Sequence, residues 1–422
     1  VRVLTLVRDL SHAHGEAVNL LQILEELRRR GVVLDLALQE PRYFEPSPAV
    51  TARVRALGAR TWRVGHTDHS IFWTPPRWLR GAPARAQRLA GLVDDAVRIV
   101  PSVLSTVARV GRRRPDVVLE VRQFGMTWSV PVARLTGAAC VCQVNVVIDA
   151  RPRRDGLLLA GADRVLAVSH FVKEALVDLG VPERKVRVVH NGVDPAAYPA
   201  AGRAERDAAA AALGLDPDVP VVVFYGQLNP VKGVHVLLEA ARRRRRPYQL
   251  VVAGRYTDPS YAAVLDPLAA EAEDVTWLDH QEDVLPLLHA ADVVVLPSAR
   301  EEAFGRVLIE AMSTGRPAVG SRIGGIPEVL AGELDRFLAA PGDPDDLARA
   351  IDAALDWRDA DPGLGDRCRA LVEERFTLAH TAAGIEAVLR EAAQERAARR
   401  RARLRRPGRR ARRAPASRRA AG

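Results

Sequence analysis

The 422-residue chain contains no uninterrupted run of about 18 apolar residues, so no transmembrane helix is expected from it. The apolar run Val1 to Val7 is short and meets the charged pair Arg8-Asp9 at once. It reads as a strand and not as a secretory signal. Cysteine is scarce: Cys140, Cys142 and Cys368 are the only three, and none sits at a metal-binding spacing. Cys140 and Cys142 fall on the same face of one strand, as small buried hydrophobes and not as a disulfide pair. No Asp-x-Asp pair stands out as a metal motif. These absences point to a reduced, cytoplasmic protein, free or at the inner face of the membrane. Acid is missing from Arg396 to Gly422, where there are 13 arginines. Removing those charges from the net +10 leaves the rest of the chain at −3, so the body is near neutral. Leu404 is the one large apolar residue of that tail, too little to bury, and residues 396–422 are expected to be disordered. Such a tail is either a solvated extension or a contact for an anionic membrane surface. Without aromatics between the arginines, stacking on bases is disfavoured, and no specific nucleic acid is expected.

What is present is apolar content of 48%, ample for large cores, on a length that suits two or three domains. Short β-branched runs alternate with amphipathic stretches. Strands are expected at 2–7, 32–38, 60–64, 116–121, 139–146, 163–168 and 185–189. Turn residues and an Ala-rich piece then fill 191–220. A second series follows, with strands at 221–225, 249–253, 275–278, 292–296 and 317–320. Two such series imply an α/β protein with two facing, doubly wound Rossmann-like domains and a ligand cleft at the carboxyl ends of the strands.

The stretch Pro297 to Gly325 carries the most chemistry. Glu302 and Glu310 stand eight positions apart, with Phe304-Gly305 between them and an apolar helical run after. Strand, short loop and helix is the layout that aims backbone N–H groups at a phosphate. With the intervening segment mostly helical, the acids lie roughly 12 Å apart along the axis. They would hold two ends of an extended ligand whose diphosphate rests on the N–H groups of Gly305, Arg306 and Val307. The plain alternative is two solvated helix-end carboxylates. The apolar neighbours of Glu310, Ile309 and Ala311, count against it, because an unpaired charge there is unfavourable.

These residues resemble the retaining nucleotide-sugar glycosyltransferases of the GT-B fold, the large family four group. Phe224 to Gly233 (FYGQLNPVKG), Ala162 to Ser169 and Val188 to Asp194 resemble further segments of that family, in the same order. The resemblance covers roughly residues 1 to 390. It implies an acceptor-side domain over 1–195, a donor-binding domain over 196–365, and a C-terminal helix over 366–395 that crosses back to the first domain. It also implies no cofactor beyond the donor substrate and no metal.

Within this frame, Lys232 is expected to place a cation on the diphosphate as negative charge grows there. The family usually has Arg where this chain has Gln227, so Arg255 or Arg306 would compensate, or turnover is weaker. Gly15, with His14 before it, resembles a reduced form of the family's glycine loop near the donor phosphates. Asn145 stands where the family often has a histidine beside the transferred sugar. Ser169, His170 and His190 read mainly as capping and structural groups. The expected reaction is transfer of a hexose-type sugar from a nucleoside-diphosphate sugar to a glycan, glycolipid or small-molecule hydroxyl, with retention. Glu302 would hold sugar hydroxyls and Glu310 the ribose. Two rivals are a sugar-nucleotide epimerase and a donor-binding scaffold with weakened catalysis, the latter motivated by Gln227, the reduced glycine loop and Asn145.

Overall fold

The computed structural model describes residues 1–7, 15–39, 48–65, 81–122, 125–148, 152–272 and 275–405. The first series of elements is β1 (Arg2–Val7), α1 (Gly15–Arg29), β2 (Val33–Gln39), α2 (Pro48–Ala56), β3 (Arg60–Val64) and α3 (Ala84–Val110). It continues with β4 (Val117–Val121), α4 (Met126–Thr136), β5 (Ala139–Val144), α5 (Pro152–Ala160), β6 (Arg164–Ala167), α6 (His170–Asp178) and β7 (Val186–Val188). All neighbouring strands run parallel, in the order β3-β2-β1-β4-β5-β6-β7. Helices cover both faces, so β4 and β5 are buried at every position and show no polar alternation. Cys140 and Cys142 are buried free thiols on β5.

The second series is α7 (Arg203–Ala212), β8 (Val221–Leu228), α8 (Val234–Arg242), β9 (Gln249–Tyr256), α9 (Ala262–Ala270), β10 (Val275–Leu278), α10 (Leu285–Ala290) and β11 (Val293–Leu296). Then come α11 (Arg306–Ser313), β12 (Ala318–Ser321), α12 (Ile326–Val329), β13 (Leu338–Ala339), α13 (Pro344–Leu355), α14 (Trp357–Ala360), α15 (Leu364–Arg375) and α16 (Leu378–Arg405). Its strands are ordered β10-β9-β8-β11-β12-β13, again parallel. In each sheet the winding reverses beside the first strand, between β1 and β4 and between β8 and β11. Those two switch points open crevices at the strands' carboxyl ends.

The end of the chain differs from the sequence expectation in two ways. A helix over 366–395 is two helices, broken at Phe376-Thr377. Phe376 is fully buried, and the Thr377 hydroxyl accepts the His380 N–H at 3.1 Å, as a new N-cap does. α15 packs on α11, whereas α16 packs on α1 and β5. Leu378, Ala382, Ile385, Leu389 and Ala392 join the core of the first sheet. The helix also continues through Arg405, so disorder from residue 396 does not hold for 396–405. Arg164 on β6 bonds Glu391 at 2.9 Å and also Glu395, while Arg399 lies 3.8 Å from Asp163, which anchors this stretch. Residues 406–422 lie outside the described residues.

Candidate active site

Both crevices contribute to one cleft of about 490 Å³. From the second sheet it is lined by Gln227, Lys232, Glu302, the segment Phe304 to Val307, and Glu310. From the first it is lined by Asn19, Arg122, Asn145 and Asn191. The sequence candidates Lys232, Gln227, Glu302, Phe304, Gly305, Arg306, Val307, Glu310 and Asn145 therefore meet in one place. Gly15 is the first residue of α1. His14 lies outside the described residues.

The loop after β8 is built to deliver Lys232. Asn229 caps the short turn Pro230–Lys232, accepting the Lys232 N–H at 3.2 Å, and its amide reaches Gln227 Oε1 at 3.3 Å. Gly233 follows at φ 67°, and a Cβ there would sit 2.0 Å from the Pro297 carbonyl oxygen. Only glycine lets this loop lie against the loop that carries Glu302. As a result Lys232 Nζ donates to Glu302 Oε2 at 2.5 Å. The lysine expected at the diphosphate and the glutamate expected at the sugar thus form one part-buried ion pair. Gln227 is exposed on the cleft wall.

The segment between the two glutamates is helical only from Arg306 onward, so the roughly 12 Å expected from a helix does not apply to it. Gly305 has φ 94°, outside the helical region, and α11 begins only at Arg306. Glu302 sits on the preceding loop and Glu310 on the helix, with the helix N-terminus between them. No side chain caps α11. Gly305, Arg306 and Val307 line the cleft, so the positive end of the helix faces it. Gly324 and Gly325 back the loop: a Cβ on Gly324 would lie 2.1 Å from the Glu302 carbonyl oxygen.

Glu310 is buried but not unpaired. Arg306 Nε donates to Oε1 at 3.0 Å, and the Tyr225 hydroxyl donates to Oε2 at 2.7 Å. Burial, with the Glu310 charge beside it, holds the Tyr225 hydroxyl well above the usual phenol range. Burial pulls the Arg306 guanidinium down, but the Glu310 charge and hydrogen bond together with Tyr198 and Tyr225 outweigh it, and the net shift is upward. Arg306 is therefore committed to Glu310 and is not a spare cation for a diphosphate. Arg255 does not line the cleft. The cation that sequence reasoning missed is Arg122, just after β4. At φ 114° it is the one non-glycine residue at positive φ among the described residues. Asn19 and Asn191 were missed too; they contact each other at 3.5 Å across 172 positions of sequence, which no local signal reveals. Tyr225 carried a signal: it is a hydroxyl closing the otherwise apolar run Val221 to Tyr225 within β8.

Phe304 shows its backbone to the cleft and its ring to the domain junction. The ring is 2% exposed and stacks on His190, centroids 5.6 Å apart. His190 Nε2 lies 3.0 Å from Glu328, which also accepts the His170 and Phe171 N–H groups at the start of α6, each at 2.9 Å. Burial pushes the Glu328 carboxyl up, but these three hydrogen bonds outweigh it and leave it below its ordinary value. Ser169 caps α6 as expected, at 3.1 Å from the Val172 N–H, and its hydroxyl also donates to the Ala303 carbonyl at 2.7 Å. The first sheet thereby grips the loop that carries Glu302. Among the described residues, His170, His190 and Glu328 form the one group of three whose ligand atoms all lie within 4.8 Å. None of them lines the cleft.

The family model for Glycosyltransferase Family 4 matches residues 13–197, and that for Glycosyl transferases group 1 matches residues 205–373. D-inositol 3-phosphate glycosyltransferase of Mycobacterium sp. (strain KMS) is 36% identical over 203 residues, 46% of this chain and 45% of that protein. The protein of the same name from Nocardia farcinica is 35% identical over 245 residues, 54% of this chain and 52% of that one. The chain spans about half the length of the curated relatives it matches. Among solved structures, Anabaena HepE in complex with UDP and glucose has a TM-score of 0.73 at 19% identity, over 92% of this chain and 99% of that one. Sucrose-phosphate synthase from Thermosynechococcus elongatus has a TM-score of 0.70 at 20% identity, over 93% and 99%. The two family models fall on the two sheets in turn, and the chain belongs to the glycosyltransferases of the GT-B fold, in the family 4 and group 1 superfamily.

Proposed function

We propose that the protein transfers a hexose-type sugar from a nucleoside-diphosphate sugar to an acceptor hydroxyl, with retention at the anomeric carbon. One observation carries this reading: a single cleft holds Glu302 and Glu310 on either side of an uncapped helix N-terminus, with Lys232 bonded to Glu302. The donor diphosphate rests on the N–H groups at the start of α11, where the helix dipole favours negative charge. Glu310 accepts the ribose hydroxyls, using lone pairs that Tyr225 and Arg306 leave open. Glu302 accepts sugar hydroxyls, and its ion pair with Lys232 loosens as charge builds on the leaving diphosphate and attracts the ammonium. Lys232 then holds a charge that exists fully only after the glycosidic bond has weakened, which is how binding becomes rate. Gln227 donates a neutral hydrogen bond to the same phosphates, and Gly15 opens the helix that faces them.

The acceptor enters from the first sheet, past Asn145 and Arg122, its hydroxyl approaching on the face from which the diphosphate departs. Asn145 hydrogen-bonds a hydroxyl and is not a base. The acceptor is carried by a glycan, a glycolipid or a small molecule. The names of the matched relatives place inositol phosphates in the panel to be tried. The Arg-rich end of a cytoplasmic protein of this kind would contact anionic membrane. The test is calorimetric titration with UDP-, GDP-, ADP- and dTDP-sugars, using the wild type, Glu310→Ala and Lys232→Ala. Selective binding of one nucleotide, weakened by both substitutions, is expected. Absence of binding to any donor would sink this reading.

A further inference from the structure

Eleven large hydrophobic residues are exposed among the described residues, and five of them lie on α3. They are Leu89, Val93, Val97, Val100 and Leu104, between 50% and 68% exposed. At 3.6 residues per turn these positions fall in a sector about 80° wide and about 22 Å long. The sector is not the buried side, since Ile99, Ser102, Val103, Thr106 and Val110, the buried residues of the same helix, face the other way. A stripe this narrow and this continuous is not the scatter of single apolar residues found on ordinary surfaces.

Asp94 and Asp95 lie within the length of the stripe, and beyond them the charge has one sign. From Ala96 to Pro115 the sequence has five arginines and no acid. Arg98 pairs with Asp94 at 3.1 Å, while Arg109 and Arg112 to Arg114 are all exposed. Those last three form the turn into β4, at the opposite end of that strand from Arg122 and the cleft. The arginines of α16 reach the same edge of the sheet: Arg399 lies 3.8 Å from Asp163, just before β6, and Arg400 lies beside Gly137, just before β5. An apolar stripe flanked by arginines is the make-up of a helix that lies in the plane of an anionic bilayer, side chains in the acyl boundary and guanidinium groups among the headgroups.

We propose that this face of α3, together with the arginine-rich edge beside it, docks the protein on an anionic lipid surface. This rests on the exposed face alone and does not depend on the sugar transfer proposed above. The cleft is at the other end of the strands and stays open to solvent.

The test is flotation of the full chain with phosphatidylcholine vesicles and with vesicles containing 30% (about one lipid in three) phosphatidylglycerol, at low salt. Two variants are compared with the wild type: Leu89→Ser with Val93→Ser and Val97→Ser, and Arg112→Glu with Arg113→Glu and Arg114→Glu. All six side chains are exposed, so the fold is retained, and unchanged thermal unfolding checks this. Binding is expected with the anionic vesicles only. The apolar variant should lower the partition coefficient about thirty-fold or more, and the charge variant should weaken the preference for anionic lipid, with the arginines of the chain's end still in place. Wild-type binding that the apolar variant leaves unchanged would overturn the proposal and assign binding to the residues after Arg405. Failure of the wild type to bind would overturn it as well, and a dimer that the apolar variant converts to monomer would give the face to a second copy instead.

Discussion

Tyr225→Phe is the substitution that most directly probes how Glu310 is held. The change removes one hydroxyl and leaves the ring, which is buried in the strand core. Glu310 Oε2 loses its 2.7 Å donor, and the Arg306 bond to Oε1 at 3.0 Å remains. A hydrogen bond to a charged group contributes about 1.5–3 kcal/mol. The carboxylate lies at a cleft wall, where water replaces part of that, so about 1 kcal/mol of ordering is lost. The ribose must then meet a carboxylate free to turn about its terminal torsion. Nucleotide affinity should fall about five- to ten-fold, since 1.4 kcal/mol is a factor of ten. Calorimetry with the nucleoside diphosphate and with inorganic pyrophosphate separates the effects. The nucleotide should weaken and the pyrophosphate, having no ribose, should not. Equal weakening of both, or no weakening of the nucleotide, would refute the assignment of Glu310 and Tyr225 to the ribose.

Lys232→Met should lower kcat about a hundred-fold or more while donor KM changes little, because the ammonium acts on charge that develops late; Lys232→Arg should restore part of the rate, measured by release of the nucleoside diphosphate. Gly324→Ala places a methyl 2.1 Å from the Glu302 carbonyl at φ 60°, and should lose about 3 kcal/mol or more of stability in denaturant titration. Glu328 has a folded pKa below its ordinary 4.5, so its contribution is present in full above that value and disappears as pH falls through the lower folded value. The difference in Tm between wild type and Glu328→Gln should therefore be constant at neutral pH and shrink below pH 4.5. A difference that grew on acidification would contradict the three hydrogen bonds to its carboxylate.

Much of the architecture was legible because parallel sheets covered on both faces leave a simple trace. Val117 to Val121 or Val293 to Leu296 must be apolar throughout, and amphipathic stretches between them must be helices. Short elements were not legible. α2 and α5 lie where turn residues and arginines blur any period, and β13 has two residues, too few to show one. The break between α15 and α16 was hidden because each helix is regular by itself, and only Phe376, buried against Phe304 and His190, requires the chain to turn there.

The residues of the donor side lie close together in sequence, because in an α/β unit a loop and the helix after it are adjacent in both senses. That is why Glu302, Gly305 and Glu310 could be named from their spacing, and Lys232, 70 positions earlier, from the strand, loop and helix of its own unit. Their pairing could not. Whether Lys232 faces solvent or Glu302 depends on how closely two loops approach, which Gly233 decides against Pro297. Arg306 was offered as a cation for phosphate and is instead the partner of Glu310, a choice set by side-chain direction within one helical turn. Local pattern was enough for two α/β series, for the loop and helix that follow the strand at 293–296, and for the two carboxylates they carry, since periodicity and loop chemistry are local. Tertiary structure alone decided which charges cancel, that Asn19 meets Asn191, that Arg122 faces the donor loops, and that five apolar side chains of α3 are left uncovered. Each of these depends on contacts between segments far apart in the chain, and no local pattern records them.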